Sequence, residues 1–148
     1  MSESVGATGA APLEYRASAR AAHGGDAEIT AAQTVIPLDA GWATPPSGAP
    51  GPADLLAGAF AACLLKNLAR AGALLGFDYD DAQVDVVLHR QDAPPKFVAV
   101  EYDLQVTTDE PERRVELVHA NLRKFGTVYN TLAAVCEVSG TVTARSLP

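Results

Sequence analysis

Two cysteines carry the redox or nucleophilic chemistry open to this chain, and their settings differ. Cys63 lies in an uncharged run from Leu55 to Leu65, while Cys136 lies where apolar and polar residues alternate. A thiolate can attack the distal oxygen of a peroxide and leave as a sulfenic acid. An unassisted cysteine has a pKa near ~8.5, so it is mostly thiol at neutral pH. Apolar surroundings disfavour the charged form. A helix N-terminus about three turns before Cys63 is too far off to help. A reactive Cys63 therefore needs a cation, and Lys66 and Arg70 lie three and seven residues on, on roughly its side of a helix. The competing reading makes Cys63 a small core hydrophobe. For Cys136 alternation favours the core, because it shares a face with Val138, Gly140 and Val142.

Other chemistries find less support. His23, His89 and His119 are far apart and lack metal-ligand spacing, so neither a metal nor a cofactor is expected. The chain holds no glycine-rich phosphate loop and no Gly-x-Ser-x-Gly elbow. Its acidic residues are scattered as solvated faces rather than paired. A net charge of −7 argues against nucleic acid or an anionic membrane as partner. No window of 18 uncharged apolar residues suggests a membrane span, and no basic-then-apolar N-terminus suggests secretion. Two cysteines are too few for a disulfide scaffold, which implies a cytoplasmic protein with reduced thiols.

The elements that must position Cys63 follow from pattern. Pro52 suits the first helical position, Asp54 the first turn and Gly76 the stop, giving a helix over Pro52–Leu75. It is apolar on every face around its middle, which predicts burial all round. Before it, residues 1–12 are rich in Ser, Gly and Ala and read as a disordered tail, leaving 13–148 as one domain. Leu13–Ala22 and Ala27–Leu38 read as two strands around the turn His23-Gly24-Gly25-Asp26. Gly41–Gly51 is a Pro- and Gly-rich loop, in which Trp42 is either a packing anchor or one wall of a ligand pocket. After the helix, Val84, Val86 and Leu88 alternate with polar neighbours, and a turn at Asp92–Pro95 follows. Val98, Val100, Tyr102, Leu104 and Val106 give the cleanest period of two. Asp109 with Glu112 predicts a capping box, and Val115, Val118, Leu122 and Phe125 form an apolar helical stripe that ends at Gly126. Thr127–Ala134 forms a short helical turn or loop, and Val135–Ala144 a last strand. The order gives an α+β fold: a long central helix, an antiparallel sheet, and a second copy needed to cover the helix.

Pro52-Ala53-Asp54-Leu55-Leu56-Ala57-Gly58-Ala59-Phe60-Ala61-Ala62-Cys63 resembles the central-helix motif of the OsmC/Ohr family, and Lys124-Phe125-Gly126-Thr127-Val128-Tyr129-Asn130-Thr131-Leu132 resembles its later motif. With the order of strands, the similarity covers about residues 14–145. It implies an OsmC-like fold, an intertwined homodimer with sites where the subunits meet, and hydroperoxide reduction at Cys63. It also implies partners that stand here only in part. The family's glutamate, ten residues before the cysteine, falls on Ala53; Asp54 is one residue off, about 100° around a helix. Its arginine falls near Gly25, with Arg20 and Arg16 upstream and neither assignable. Its resolving cysteine falls on Gly126.

Two functions are therefore expected to compete. One is a thiol peroxidase that reduces organic hydroperoxides through Cys63 with an external thiol as reductant. The other keeps the fold without the cycle and binds a small apolar or thiol-bearing molecule in the dimer pocket.

Overall fold

The computed structural model describes residues 12–42 and 45–148, so the expected tail falls, for residues 1–11, outside the described residues. The chain divides into two compact units, one ending at Pro52 and one spanning Ala53–Pro148.

The first unit is an antiparallel sheet of three short strands in the order β1 (Ala17–Ala21), β2 (Ala27–Ala31) and β3 (Thr34–Pro37). The expected hairpin turn closes β1 on β2, with Ala22 N–H donating to Asp26 O at 2.9 Å. The stretch read as one second strand is in fact two. It reverses at Ala32-Gln33, where Ala32 takes φ 53° and Ala31 pairs with Thr34. A two-residue hairpin turn requires positive φ, and Gly or Asn normally marks it; alanine gave no such signal. In the loop that follows, the Asp39 carboxylate accepts Gly41 N–H at 3.1 Å and Ser47 N–H at 3.2 Å. Those backbone donors, Ser47 first, hold its pKa below the ordinary carboxylate value. Trp42 is 92% exposed, which removes its reading as a packing anchor.

The second unit is built on α1 (Pro52–Leu75), with the bounds the sequence predicts. Gly76, at φ 63°, ends it in the left-handed conformation that a side chain resists. Within this chain the helix buries one stripe rather than its whole surface: Phe60, Leu64, Leu68 and Ala71, at helical spacing. Leu65 and Leu74, outside the stripe, are 38% and 66% exposed. By length and composition α1 could cross a membrane, but its stripe belongs to the core of this unit.

The stripe packs with a three-stranded sheet ordered β4 (Asp81–Asp92), β5 (Pro95–Thr107) and β6 (Glu137–Arg145). β4 and β5 form the expected antiparallel hairpin, paired as far as Asp92 and Pro95. β6 departs from the antiparallel expectation and lies parallel to β5. A parallel neighbour needs a crossover, and α2 (Glu112–Phe125) with α3 (Thr127–Ala133) supplies it. On the central strand β5, Val100, Tyr102, Leu104 and Val106 are buried as alternation predicts, and Val98 falls at the register shift opposite His89/Arg90. From α2 the core takes Val115, Val118 and Leu122, while Phe125 stays 44% exposed.

The predicted capping box does not form. Pro111 holds the N-cap of α2 without a side-chain cap, and Asp109 Oδ1 instead accepts Leu147 N–H at 3.2 Å. Glu110 takes Asp78 N–H at 2.7 Å and Arg114 Nε at 3.0 Å, in that order the causes of its lowered pKa. Arg114 also donates to Leu75 O and Gly76 O, both at 2.9 Å, and so satisfies carbonyls that the end of α1 leaves open.

Candidate functional site around Cys63

Cys63 sits at the margin of the buried stripe of α1, half-buried and free. One turn later, Asn67 Nδ2 donates to Cys63 O at 2.9 Å and lies 3.6 Å from Cys63 Sγ. Among the described residues, this amide is the hydrogen-bond donor found at the sulfur. The cations that the sequence offers are placed otherwise. Arg70 has its guanidinium carbon 4.5 Å from the centre of the Phe125 ring, and donates to Asn121 Oδ1 at 3.3 Å. Lys66 is exposed one turn beyond Cys63. Asn67 is the residue the sequence reading missed; a polar side chain four residues after a cysteine, on an otherwise apolar helix, was the available signal.

The second wall is the junction of α2 and α3. A Cβ added to Gly126 would stand 3.1 Å from Cys63 Sγ, 2.9 Å from Tyr129 Cβ and 3.4 Å from Leu122 O. Glycine is thus what allows the helix junction to approach the sulfur so closely. Tyr129 stacks on Phe60 with ring centres 5.4 Å apart, and Tyr102 meets both rings at 6.1 and 5.9 Å. Behind them, Tyr102 Oη and His119 Nε2 share a hydrogen bond of 2.6 Å. Burial, followed by the hydrogen bond with Tyr129, pushes the Tyr102 phenol well above its ordinary pKa. Burial, followed by the nearby Arg123 cation, pulls His119 below its own.

Cys136 is in the core, 9% exposed, with its Sγ 3.4 Å from Phe97 O. Open hollows of about 300 and 350 Å³ exist elsewhere. They are lined by Asp78, Asp80, Asp109 and Glu110 and by Asp81 and Arg145, away from Cys63. Among the described residues no group of His, Cys, Asp and Glu suits a metal.

A protein-family model described as OsmC-like protein matches residues 45–139, more than half of the chain. The chain belongs to the OsmC-like family. No curated protein sequence matches it. Among solved structures, the OsmC-like protein of Mycoplasma pneumoniae has a TM-score of 0.79 at 18% identity, over 88% of this chain and 96% of that one. The organic hydroperoxide resistance protein OsmC of Legionella pneumophila gives 0.70 at 19%, over 90% and 98%. The organic hydroperoxide resistance protein OhrB of Bacillus subtilis gives 0.63 at 17%, over 88% and 98%. At such identities the likeness carries the α+β OsmC-like fold.

The positions singled out by the resemblance now have places in this OsmC-like chain. Gly126, at the family's resolving position, stands where a side chain would meet Cys63, whereas Cys136 is engaged with Phe97. Ala53 is an exposed residue in the first turn of α1, and Asp54 follows it there. In the first unit Arg16 pairs with Glu14 at 2.6 Å, Arg20 with Glu28 at 3.5 Å, and Gly25 lies in the hairpin turn.

Proposed function

We propose that this OsmC-like chain is a one-cysteine thiol peroxidase acting on organic hydroperoxides in the cytoplasm. The carrying observation is the Cys63 sulfur on the margin of the core, with an amide donor at 3.6 Å and a glycine against it. In the first step the Cys63 thiolate attacks the distal peroxide oxygen. The S–O bond forms, the O–O bond breaks, and the alcohol leaves after taking a proton. Cys63 is then a sulfenic acid. Gly126 has no thiol to condense with it, so an external thiol forms a mixed disulfide and releases water. A second thiol frees Cys63 and leaves as the oxidised disulfide.

The exposed apolar stripe of α1 that includes Ala62, Leu65 and Ala69 supports a homodimer in which a second copy covers that stripe and closes the site. A dimer of this kind would bury more than ~2,000 Å² in total.

The test is Cys63-dependent turnover of tert-butyl hydroperoxide and a lipid hydroperoxide with a dithiol reductant, Cys63→Ser serving as the control. Trapping of a sulfenic acid at Cys63 by dimedone completes it. Absence of both turnover and adduct overturns the reading. Ala53, where the family's glutamate is expected, favours a second one: a protein that binds a small apolar or thiol-bearing molecule without turning it over. Saturable binding of such a molecule without turnover would establish that.

A further inference from the structure

The two segments that meet at Cys63 have a charge composition unlike the rest of the chain. The chain carries 18 acidic and 11 basic residues. Residues 55–75 of α1 and 117–136 of α2, α3 and the lead into β6 contain no acid. They contain Lys66, Arg70, Arg123 and Lys124. Among the described residues none of these four makes an ion pair, whereas Arg16, Arg20, Arg90 and Arg114 each do.

Three of the four cations lie on the two segments that meet at Cys63. Lys66 follows Cys63 by one turn, and side chains three apart on a helix are neighbours. Arg70 and Lys124 approach the same Phe125 ring, at 4.5 and 5.3 Å, immediately before Gly126. All three side chains are exposed. The acids of α2, Glu112 and Glu116, lie eight or more residues before Lys124, about 12 Å or more along the helix. The distance exceeds a Debye length at moderate ionic strength, so they do not cancel this patch. A cationic patch on an otherwise acidic protein attracts anions to the segments that carry Cys63 and Gly126.

We propose that the thiol exchanging with Cys63 is a small anionic thiol, one that bears a carboxylate, sulfonate or phosphate beside its sulfur. Lys66, Arg70 and Lys124 hold the anionic group while the sulfurs react. The proposal rests on Cys63 being resolved by an external thiol. Its chemistry balances in either direction. The Cys63 thiolate displaces one thiolate from a disulfide and forms the mixed disulfide, and a second thiol reverses the exchange without net oxidation. Arg70 and Lys124 keep their charges displayed because Phe125 supports both without neutralising either.

The experiment measures thiol–disulfide exchange at Cys63, which needs no peroxide. Full-length protein is mixed with three symmetrical disulfides, those of 2-mercaptoethanesulfonate, 2-mercaptoethanol and cysteamine. They are anionic, neutral and cationic. Adducts at Cys63 are followed by intact mass, and each rate is divided by that of a neutral cysteine peptide. At low salt the normalised rate should be about tenfold higher for the anionic than for the cationic probe, in line with electrostatic steering. Lys66→Gln combined with Lys124→Gln should reduce the ratio at least about threefold, and 0.5 M salt should bring it towards one. Should that double variant not fold, single Lys66→Gln and Lys124→Gln proteins should each lower the ratio. A normalised ratio near one at low salt, or one unmoved by both salt and charge removal, overturns the proposal. Hydroperoxide turnover is measured separately. Anion preference without turnover upholds this inference while ending the peroxidase reading; turnover without anion preference does the reverse.

Discussion

The surroundings of Cys63 and Cys136 show how one fold treats the same side chain in two ways. Cys136 lies in the core just before β6, 9% exposed, its sulfur directed to the Phe97 carbonyl. Cys63 stands on a helix at the edge of the buried stripe, with an amide at its sulfur and a glycine facing it. A buried thiol next to a carbonyl acts as a weak donor and is closed to reagents. A half-buried thiol on a helix surface is open to them. Position relative to the core therefore decides which cysteine a reagent can reach.

The comparison is broken most directly at Gly126. A Cβ there lies 3.1 Å from Cys63 Sγ, within reach of one further S–S bond of about 2.0 Å. Gly126→Cys should therefore cross-link to Cys63 almost completely under mild oxidation. Mass spectrometry would detect a loss of two hydrogens and a disulfide-linked peptide joining Cys63 to the introduced thiol. Tyr129 Cβ would be 2.9 Å from the new Cβ and must yield. Gly126→Ser meets the same obstruction without a thiol and serves as the stability control. A folded Gly126→Cys protein that keeps both thiols free would show that the two positions do not meet.

The complementary change is Cys136→Ser. Its hydroxyl would occupy a site built for sulfur, at a cost of about 1–2 kcal/mol in stability. Thermal unfolding should register that loss, while alkylation of Cys63 by iodoacetamide keeps its wild-type rate. A changed rate at Cys63, or a Cys63–Cys136 disulfide after stoichiometric peroxide, would remove the division of roles.

The sequence made this division partly legible. Pro52 and Gly76 marked α1 at its observed bounds, and period two on β5 named its buried residues, because turn-type residues and a strongly buried face both leave local signals. Alternation also placed Cys136 correctly. Three features escaped because they depend on partners remote in sequence or on an unmarked turn. Ala32 turns the chain without the residue type that marks such turns. Asp109 was drawn to Leu147 N–H, 38 residues on, instead of capping α2. Arg70, which the sequence sets on roughly the sulfur's side of α1, rests on Phe125, an exposed aromatic face within its reach. The signal for Asn67 was only its place, a polar side chain four residues after Cys63 on an apolar helix.

The core side of the comparison has a titratable member. His119 is held below its ordinary 6.5 by burial first and Arg123 second. A histidine with a lowered folded pKa binds a proton more readily when unfolded. Its contribution is present above about pH 6.5 and is lost as pH falls through that value towards the folded pKa. For one proton the slope cannot exceed about 1.4 kcal/mol per pH unit. Denaturant unfolding of wild type and His119→Gln between pH 7.5 and 5 should show the steeper decline in wild type. Asp39 and Glu110 also have lowered pKa values, but carboxylates with ordinary values of 3.8 and 4.5 lose their contribution in a more acidic window. Equal slopes for the two proteins would mean that His119 is not coupled to folding.

The smallest expected effect sharpens the other side. Asn67 Nδ2 is 2.9 Å from Cys63 O and 3.6 Å from Cys63 Sγ, so its stronger partner is the backbone. A donor at that distance from sulfur makes only a fraction of an ordinary hydrogen bond of ~1 kcal/mol. Asn67→Ala should therefore slow alkylation of Cys63 about two- to threefold and leave the fold intact. Asn67→Asp is the sharper probe, because it sets a carboxylate where the amide was and repels a thiolate. The order of rates should be wild type, then Asn67→Ala, then Asn67→Asp, with the last gap closing in high salt as the repulsion is screened. If both variants react as fast as wild type, Asn67 serves the helix backbone alone, and the support for a reactive Cys63 reduces to its exposure.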